Sequence, residues 1–244
     1  MESLTLKSAY VHAARATRSA CSRAHVLPAL DQWAGRSRNG VWARSLLAVY
    51  DIGDLSALDV PWWTFESAAL VDAFLRGRRD ARVFEWGSGA STVWLARRSA
   101  SVVAVEHDER WAGEVRARLP EGAPVDLRVV PAEEAAAGAA GEARSSKPGA
   151  TELDFRAYVD VIDEVGGTFD VIVIDGRARQ ACLASAVDHL APDGIIVFDN
   201  VERARYRQAI AAIRPAMEVS WTHGLTPCLP YPTRTAILRP SLTG

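Results

Sequence analysis

Lysine is nearly missing from this 244-residue chain: only Lys7 and Lys147 occur, and arginine carries the rest of the positive charge. Lys and Arg together number 28 against 30 Asp and Glu, so the net charge is only −2 and no basic stripe offers itself to a nucleic acid. The bias toward arginine and alanine looks like genomic base composition and carries no function. Cysteine is scarce too. Cys21, Cys182 and Cys228 are odd in number, far apart and in no CxxC pairing. That excludes a disulfide framework or a zinc cluster and fits a reducing, cytoplasmic compartment. No apolar run approaches the ~20 residues of a membrane span. No GxxxxGK[ST] occurs, which removes the commonest nucleoside-triphosphate site.

With 49% hydrophobic residues, the chain can bury a sizeable core. Residues 1–58 have helical spacing and little strand signal. Their Arg- and Ser-bearing start can mimic a transit peptide, but a helical cap packed on the domain is the simpler expectation. This cap carries Trp33, Trp42 and Tyr50, which need burial, and is too short to bury a large core alone. It is expected to form a lid on the domain that follows and not an independent domain.

Residues 59–244 read as one further domain. After PWWT (61–64), with Thr64 as a helix cap, strands and helices alternate. ARVFEW, SVVAVE, VDLRVV, FDVIVID and GIIVFDN are apolar runs of strand length, each separated from the next by a helical stretch. Gly138 to Ala150 reads as a mobile surface insertion, because the alternation resumes in phase after it. MEVSWTHGL and TRTAILRP around TPCLPYP read as a terminal hairpin. The expected fold is α/β: a Rossmann-like, open, mostly parallel sheet with helices on both faces, a C-terminal antiparallel hairpin and a helical N-terminal cap.

The stretch VFEWGSGAST (83–92) leads from the first strand through Gly87 and Gly89 to a helix beginning near Ser91. Ligands of open parallel sheets sit at the carboxyl ends of strands, where a glycine turn and unpaired helix amides leave room for them. A positive φ at either glycine would add to the need for glycine there. Glu106 ends the second strand at the ~20-residue offset of a ribose-binding carboxylate. A dinucleotide fold shares these features, but the third glycine of GxGxxG is replaced by Thr92. Glu85 before the turn, Asp175 after the fourth strand and Asp199-Asn200 after the fifth make the cleft acidic, which disfavours a pyrophosphate.

Together VFEWGSGAST, VVAVEHD, FDVIVIDG and LAPDGIIVFDN resemble the class I S-adenosylmethionine-dependent methyltransferases, over roughly residues 61–240. The resemblance implies that S-adenosylmethionine binds along Glu85, Trp86, Gly87, Ser88 and Gly89, with Ser91 and Thr92 toward its carboxylate and Asp175 at the sulfonium end. It places the ribose at Glu106, the adenine beside His107, Ala132 and Glu133, and Trp63 and Thr64 at the cofactor mouth. It further implies methyl transfer to a small-molecule acceptor, most simply a hydroxyl oxygen, with Asp175, Asp199 or His223 as the base. A subset of small-molecule O-methyltransferases binds a divalent cation with an Asp after strand four and Asp-Asn after strand five. Asp175, Asp199 and Asn200 match those types, so Mg²⁺ is a candidate cofactor. The lysine expected after the first Asp is missing, because the chain reads DGRARQ, and Asp199-Asn200 as a mere helix cap is the competing explanation. An NAD-type oxidoreductase and a non-catalytic binder of the same fold are the alternatives. A homodimer is compatible with the sequence.

Overall fold

The computed structural model describes residues 6–23, 25–49, 51–135, 143–144, 152–213 and 216–241. The predicted insertion at 138–150 lies outside them, apart from residues 143–144. Seven strands form one sheet in the order β3-β2-β1-β6-β7-β9-β8. They are β1 (Arg82–Trp86), β2 (Ser101–Glu106), β3 (Val125–Val129), β6 (Phe169–Ile174), β7 (Leu190–Asp199), β8 (Met217–Gly224) and β9 (Thr233–Pro240). The first five are parallel; β9 pairs antiparallel with β7, and β8 forms the outer edge. This is the expected open, Rossmann-like sheet with its terminal hairpin. Two short strands went unpredicted: β4 (Glu133–Glu134) and β5 (Leu153–Asp154) form a separate antiparallel ribbon.

Alternation along the strands divides the core in two. Phe84, Trp86, Ile172, Ile174, Ile196 and Phe198 face one side of the sheet. There they meet α8 (Arg156–Val165), α9 (Arg179–Asp188) and α10 (Ala204–Ile213). Val83, Val171, Val173, Ile195 and Val197 face the other side, against α5 (Phe65–Arg76) and α6 (Ala90–Ala96). The period-2 pattern is invisible as hydrophobicity because both faces are covered. The helix α7 (Glu109–Arg116) packs beside α6 through Val115 and Trp111. Strand order reverses between β1 and β6, so the turns after these two strands flank the crevice where such sheets bind ligands.

The N-terminal segment forms α1 (Leu6–Arg23), α2 (Leu27–Ala34), α3 (Arg38–Ser45) and α4 (Ile52–Ala57). Asp51 caps α4 by accepting the Asp54 N–H at 3.0 Å. Ile52 packs with Val93 of α6, and Leu55 clusters with Ala90. The same segment fastens the β8–β9 connection. Tyr10 Oη donates to the Cys228 carbonyl (3.0 Å), Trp42 Nε1 to the Leu229 carbonyl (2.9 Å), and the Cys228 N–H to Ser45 Oγ (3.0 Å). Because Leu55 is buried against the main domain, Leu55→Ala is expected to cost about 2–4 kcal/mol within one cooperative transition. Urea unfolding followed by tryptophan fluorescence checks this. A separate early transition would mean that the cap unfolds on its own.

Candidate active site

The turn after β1 is shaped by its neighbour after β6. Gly87 has φ +105°, and a Cβ there would lie 3.1–3.2 Å from the backbone of Asp175 and Gly176. Gly176 is equally constrained: a Cβ would come within 2.0 Å of Tyr158 Oη. Gly87 N–H donates to the Val105 carbonyl (2.9 Å) and Asp175 N–H to the Trp86 carbonyl (3.0 Å), so three strand ends are fastened together. Gly89 differs from the expectation. Its φ of 165° is extended backbone, and a Cβ would meet only Trp111 Cζ2 at 3.9 Å.

Beneath the turn lies Glu85, fully buried. It accepts from Ser91 Oγ at 2.5 Å and Thr92 Oγ1 at 2.6 Å, while Thr92 Oγ1 accepts the Gly89 N–H at 3.0 Å. Burial pushes its carboxyl up to about 8, with the Asp175 and Glu106 charges adding to the rise and the two hydroxyls opposing it. Glu85 therefore anchors the start of α6. Both of its oxygens are engaged by hydroxyls, so Glu85 shapes the turn from beneath.

Glu106 is also buried, yet sits among donors. Oε1 accepts from the backbone N–H of His107 (2.8 Å) and Asp108 (3.1 Å), and Oε2 accepts from Ser88 Oγ (2.9 Å). His107 Nδ1 stands 2.6 Å from Oε1, and His107 Nε2 accepts from Arg177 Nε at 3.1 Å. Burial raises the Glu106 pKa, but these partners outweigh it and hold the group below the ordinary glutamate value.

A cleft of about 330 Å³, counted to its open mouth, lies over the glycine turn. Ser88, Gly89, Ala90 and Ser91 form its floor, Asp175 one wall, and Trp62, Trp111, Asp51 and the α4 residues Ile52 and Leu55 the others. Trp111 Nε1 donates to the Ser88 carbonyl at 2.8 Å, which locks the indole beside the turn.

Residues 84–201 match a family model described as a methyltransferase domain. Over this stretch the chain is similar to that family. The O-methyltransferase from Bacillus cereus, solved with S-adenosylhomocysteine, superimposes with a TM-score of 0.55 at 19% identity, covering 81% of this chain and 90% of that one. TomG, the O-methyltransferase of tomaymycin synthesis from Streptomyces achromogenes, solved with S-adenosylmethionine, gives 0.51 at 18% identity, covering 81% and 89%. At these identities the likeness establishes the shared fold. Comparison with curated proteins finds no match.

Around this cleft, the expected residues divide into three groups. Gly87, Ser88, Gly89, Ser91, Thr92, Glu106, His107 and Asp175 come together around the strand ends. Trp86, Trp63 and Thr64 are displaced from their expected roles because all three are wholly buried. Trp86 Nε1 donates to the Tyr158 carbonyl at 3.1 Å. Trp63 packs edge-on against Trp94. Thr64 caps α5 and bonds Ser67 and Thr222. Trp62, not Trp63, reaches the cleft. Ala132 packs against the core, and Glu133 is exposed in the β4 ribbon. His223, expected as a candidate base, lies exposed on the outer strand opposite Arg234 and does not line the cleft.

The metal expectation also requires correction. Asp175 Oδ1 pairs with Arg179 at 2.8 Å. Asp199, almost fully buried, accepts from Thr235 Oγ1 at 2.6 Å, and Asn200 sits in a left-handed conformation. Among the described residues no group of three His, Cys, Asp or Glu side chains converges to hold a metal. With Asp175 held by Arg179 and Asp199 by Thr235, the two carboxylates are committed to protein donors and present no shared face to Mg²⁺. Burial and the Asp175 charge push the Asp199 carboxyl up to about 8.

Two expectations follow. Gly87→Ala should destabilise the fold by about 1–3 kcal/mol through strain and close approach, whereas Gly89→Ala should change stability by under about 1 kcal/mol. Thermal unfolding of both variants checks the contrast, and equal losses would contradict it. For Glu85, the folded state keeps a proton that the unfolded chain releases near 4.5, so stability falls as pH rises from there to about 8. Each pH unit of that interval weighs about 1.4 kcal/mol. Glu85→Gln should flatten this decline in urea titrations run at several pH values; an unchanged slope would show that Glu85 is ionised in the fold.

Proposed function

We propose that this chain transfers a methyl group from S-adenosylmethionine to a hydroxyl oxygen of a small-molecule acceptor. The observation that carries the reading is the cleft itself: a carboxylate wall at Asp175 and two indoles, over a glycine turn at the reversal of strand order. A ligand that is cationic at its ammonium and sulfonium and apolar along its chain complements such a lining. Glu106 at the neighbouring strand end binds the ribose hydroxyls, which replace the Ser88 hydroxyl now on its Oε2. The names of the B. cereus and S. achromogenes structures support transfer to oxygen.

Transfer from a sulfonium is an in-line displacement, so the chain's work is to orient the acceptor and exclude water. Of the candidate bases and metal ligands Asp175, Asp199, Asn200 and His223, Asp175 alone lines the cleft, and it takes the acceptor proton. The cap, residues 1–58, is a lid over the cleft. Its helix α4 packs on α6 beside the glycine turn, so its removal weakens cofactor binding as well as turnover.

Calorimetry with S-adenosylmethionine, followed by an S-adenosylhomocysteine-release assay against a panel of small phenols and alcohols, tests the reading. Binding is expected in the micromolar range, with release above background for at least one hydroxyl acceptor. Asp175→Asn should lower turnover at least tenfold and cofactor affinity by a smaller factor, a loss of about 1.4 kcal/mol or more at the transition state. Binding of NADH in place of S-adenosylmethionine would sink the proposal.

A further inference from the structure

We propose that the Arg179 guanidinium is a built-in substitute for a divalent cation, holding the ends of β6 and β7 together so that this methyltransferase works without a metal. Four oxygens from three residues converge on it. Nε donates to the Gly176 carbonyl (3.1 Å) and Nη1 to the Asp199 carbonyl (2.6 Å). Nη2 donates to both the Asp175 carbonyl (2.6 Å) and Asp175 Oδ1 (2.8 Å). Such a set of carbonyl and carboxylate oxygens is what a hard cation takes, and here a planar fork of N–H donors fills it. The side chain is 12% exposed, so water does not compete for these bonds.

The local backbone points the same way. Arg179 is the first residue of α9, where the helix dipole disfavours a cation, so helix stability does not explain its place. The preceding Ala178 is held at φ +44°, a left-handed conformation that costs a non-glycine residue on the order of 1 kcal/mol. That geometry delivers the guanidinium beneath the two strand ends, and its four bonds offset the strain. Asn200, at the end of β7, is also left-handed. Asp199, whose carboxylate would complete a metal site, is turned to Thr235 of β9 instead. Arg179 acts through Asp175 and is a positioning residue. With its fork committed to the protein's own oxygens, the site has no open cation face on which a vicinal diol could chelate. The acceptor is therefore recognised through a single hydroxyl.

Mn²⁺ titration followed by electron paramagnetic resonance tests the inference on the full chain saturated with S-adenosylhomocysteine. Calorimetry of the S-adenosylhomocysteine in the same samples tests the cofactor assignment separately. The parent chain should leave the free-Mn²⁺ signal unchanged into the millimolar range. Arg179→Ala empties the oxygen cage and should bind Mn²⁺ at least roughly tenfold more tightly than the parent, with a matching rise in thermal midpoint on adding Mn²⁺. Adding Asp175→Ala to that variant, which removes the only carboxylate oxygen of the cage, should abolish the gain. A folded Arg179→Ala variant that gains no Mn²⁺ affinity would show that the oxygens do not form a cation cage. If that variant does not fold, the parent chain and Asp199→Ala alone decide. Micromolar Mn²⁺ binding to the parent, lost in Asp199→Ala, would overturn the proposal, and no binding to either would uphold it.

Discussion

The close approach of two turns holds the candidate site together. Gly87 after β1 lies against Asp175 and Gly176 after β6, while Tyr158 presses on Gly176 from the core side. Neither position has room for a side chain, and the backbone hydrogen bonds from Gly87 and Asp175 fix the distance. Everything else at the cleft is placed relative to this junction. The helix α6 starts from it, Ser88 bridges from it to Glu106, and Asp175 is carried by it to the cleft wall. A methyl-transfer site needs its groups held to a fraction of an ångström, and a backbone-to-backbone contact is stiffer than any side-chain pair.

Four carboxylates, Glu85, Glu106, Asp175 and Asp199, surround that junction, and their mutual repulsion would open it if left unanswered. Each is managed by a different device. Glu85 receives two hydroxyls and gives up ready ionisation. Glu106 receives backbone and side-chain donors and keeps its charge. Asp175 is paired with Arg179, and Asp199 is given the Thr235 hydroxyl. The cleft is thus acidic on its surface without being electrostatically loose.

The fold was legible in the sequence because continuous apolar runs, helix caps and turn glycines all pointed to the same alternation of strand and helix. The ribbon of β4 and β5 was not, since two-residue strands carry no periodic signal. At the site, the glycine turn, Glu106 and Asp175 could be read from order and spacing. Trp62 and Trp63 could not be told apart: adjacent residues point to different sides, and nothing in WW says which indole meets the core. Trp111 and the α4 residues were missed because they reach the cleft only through tertiary packing. Arg179 was missed for another reason. Three of its four acceptors are backbone carbonyls, which every residue possesses, so its clamp leaves no motif; only the odd placement of an arginine at a helix start hinted at it.

The antiparallel pairing of β9 with β7 has a temporal side. Thr235 of β9 satisfies Asp199, and the β8–β9 connection is where Tyr10, Trp42 and Ser45 of the N-terminal helices attach. On the ribosome, the N-terminal helices and β1, β2, β3, β6 and β7 emerge before Thr235 and the β8–β9 connection are available. A nascent chain at that stage has the glycine turn but a buried aspartate without its hydroxyl and N-terminal helices without their docking loop. The cleft is therefore assembled only once the β8–β9 connection meets the helices that precede β1, and ligand binding reports that joining.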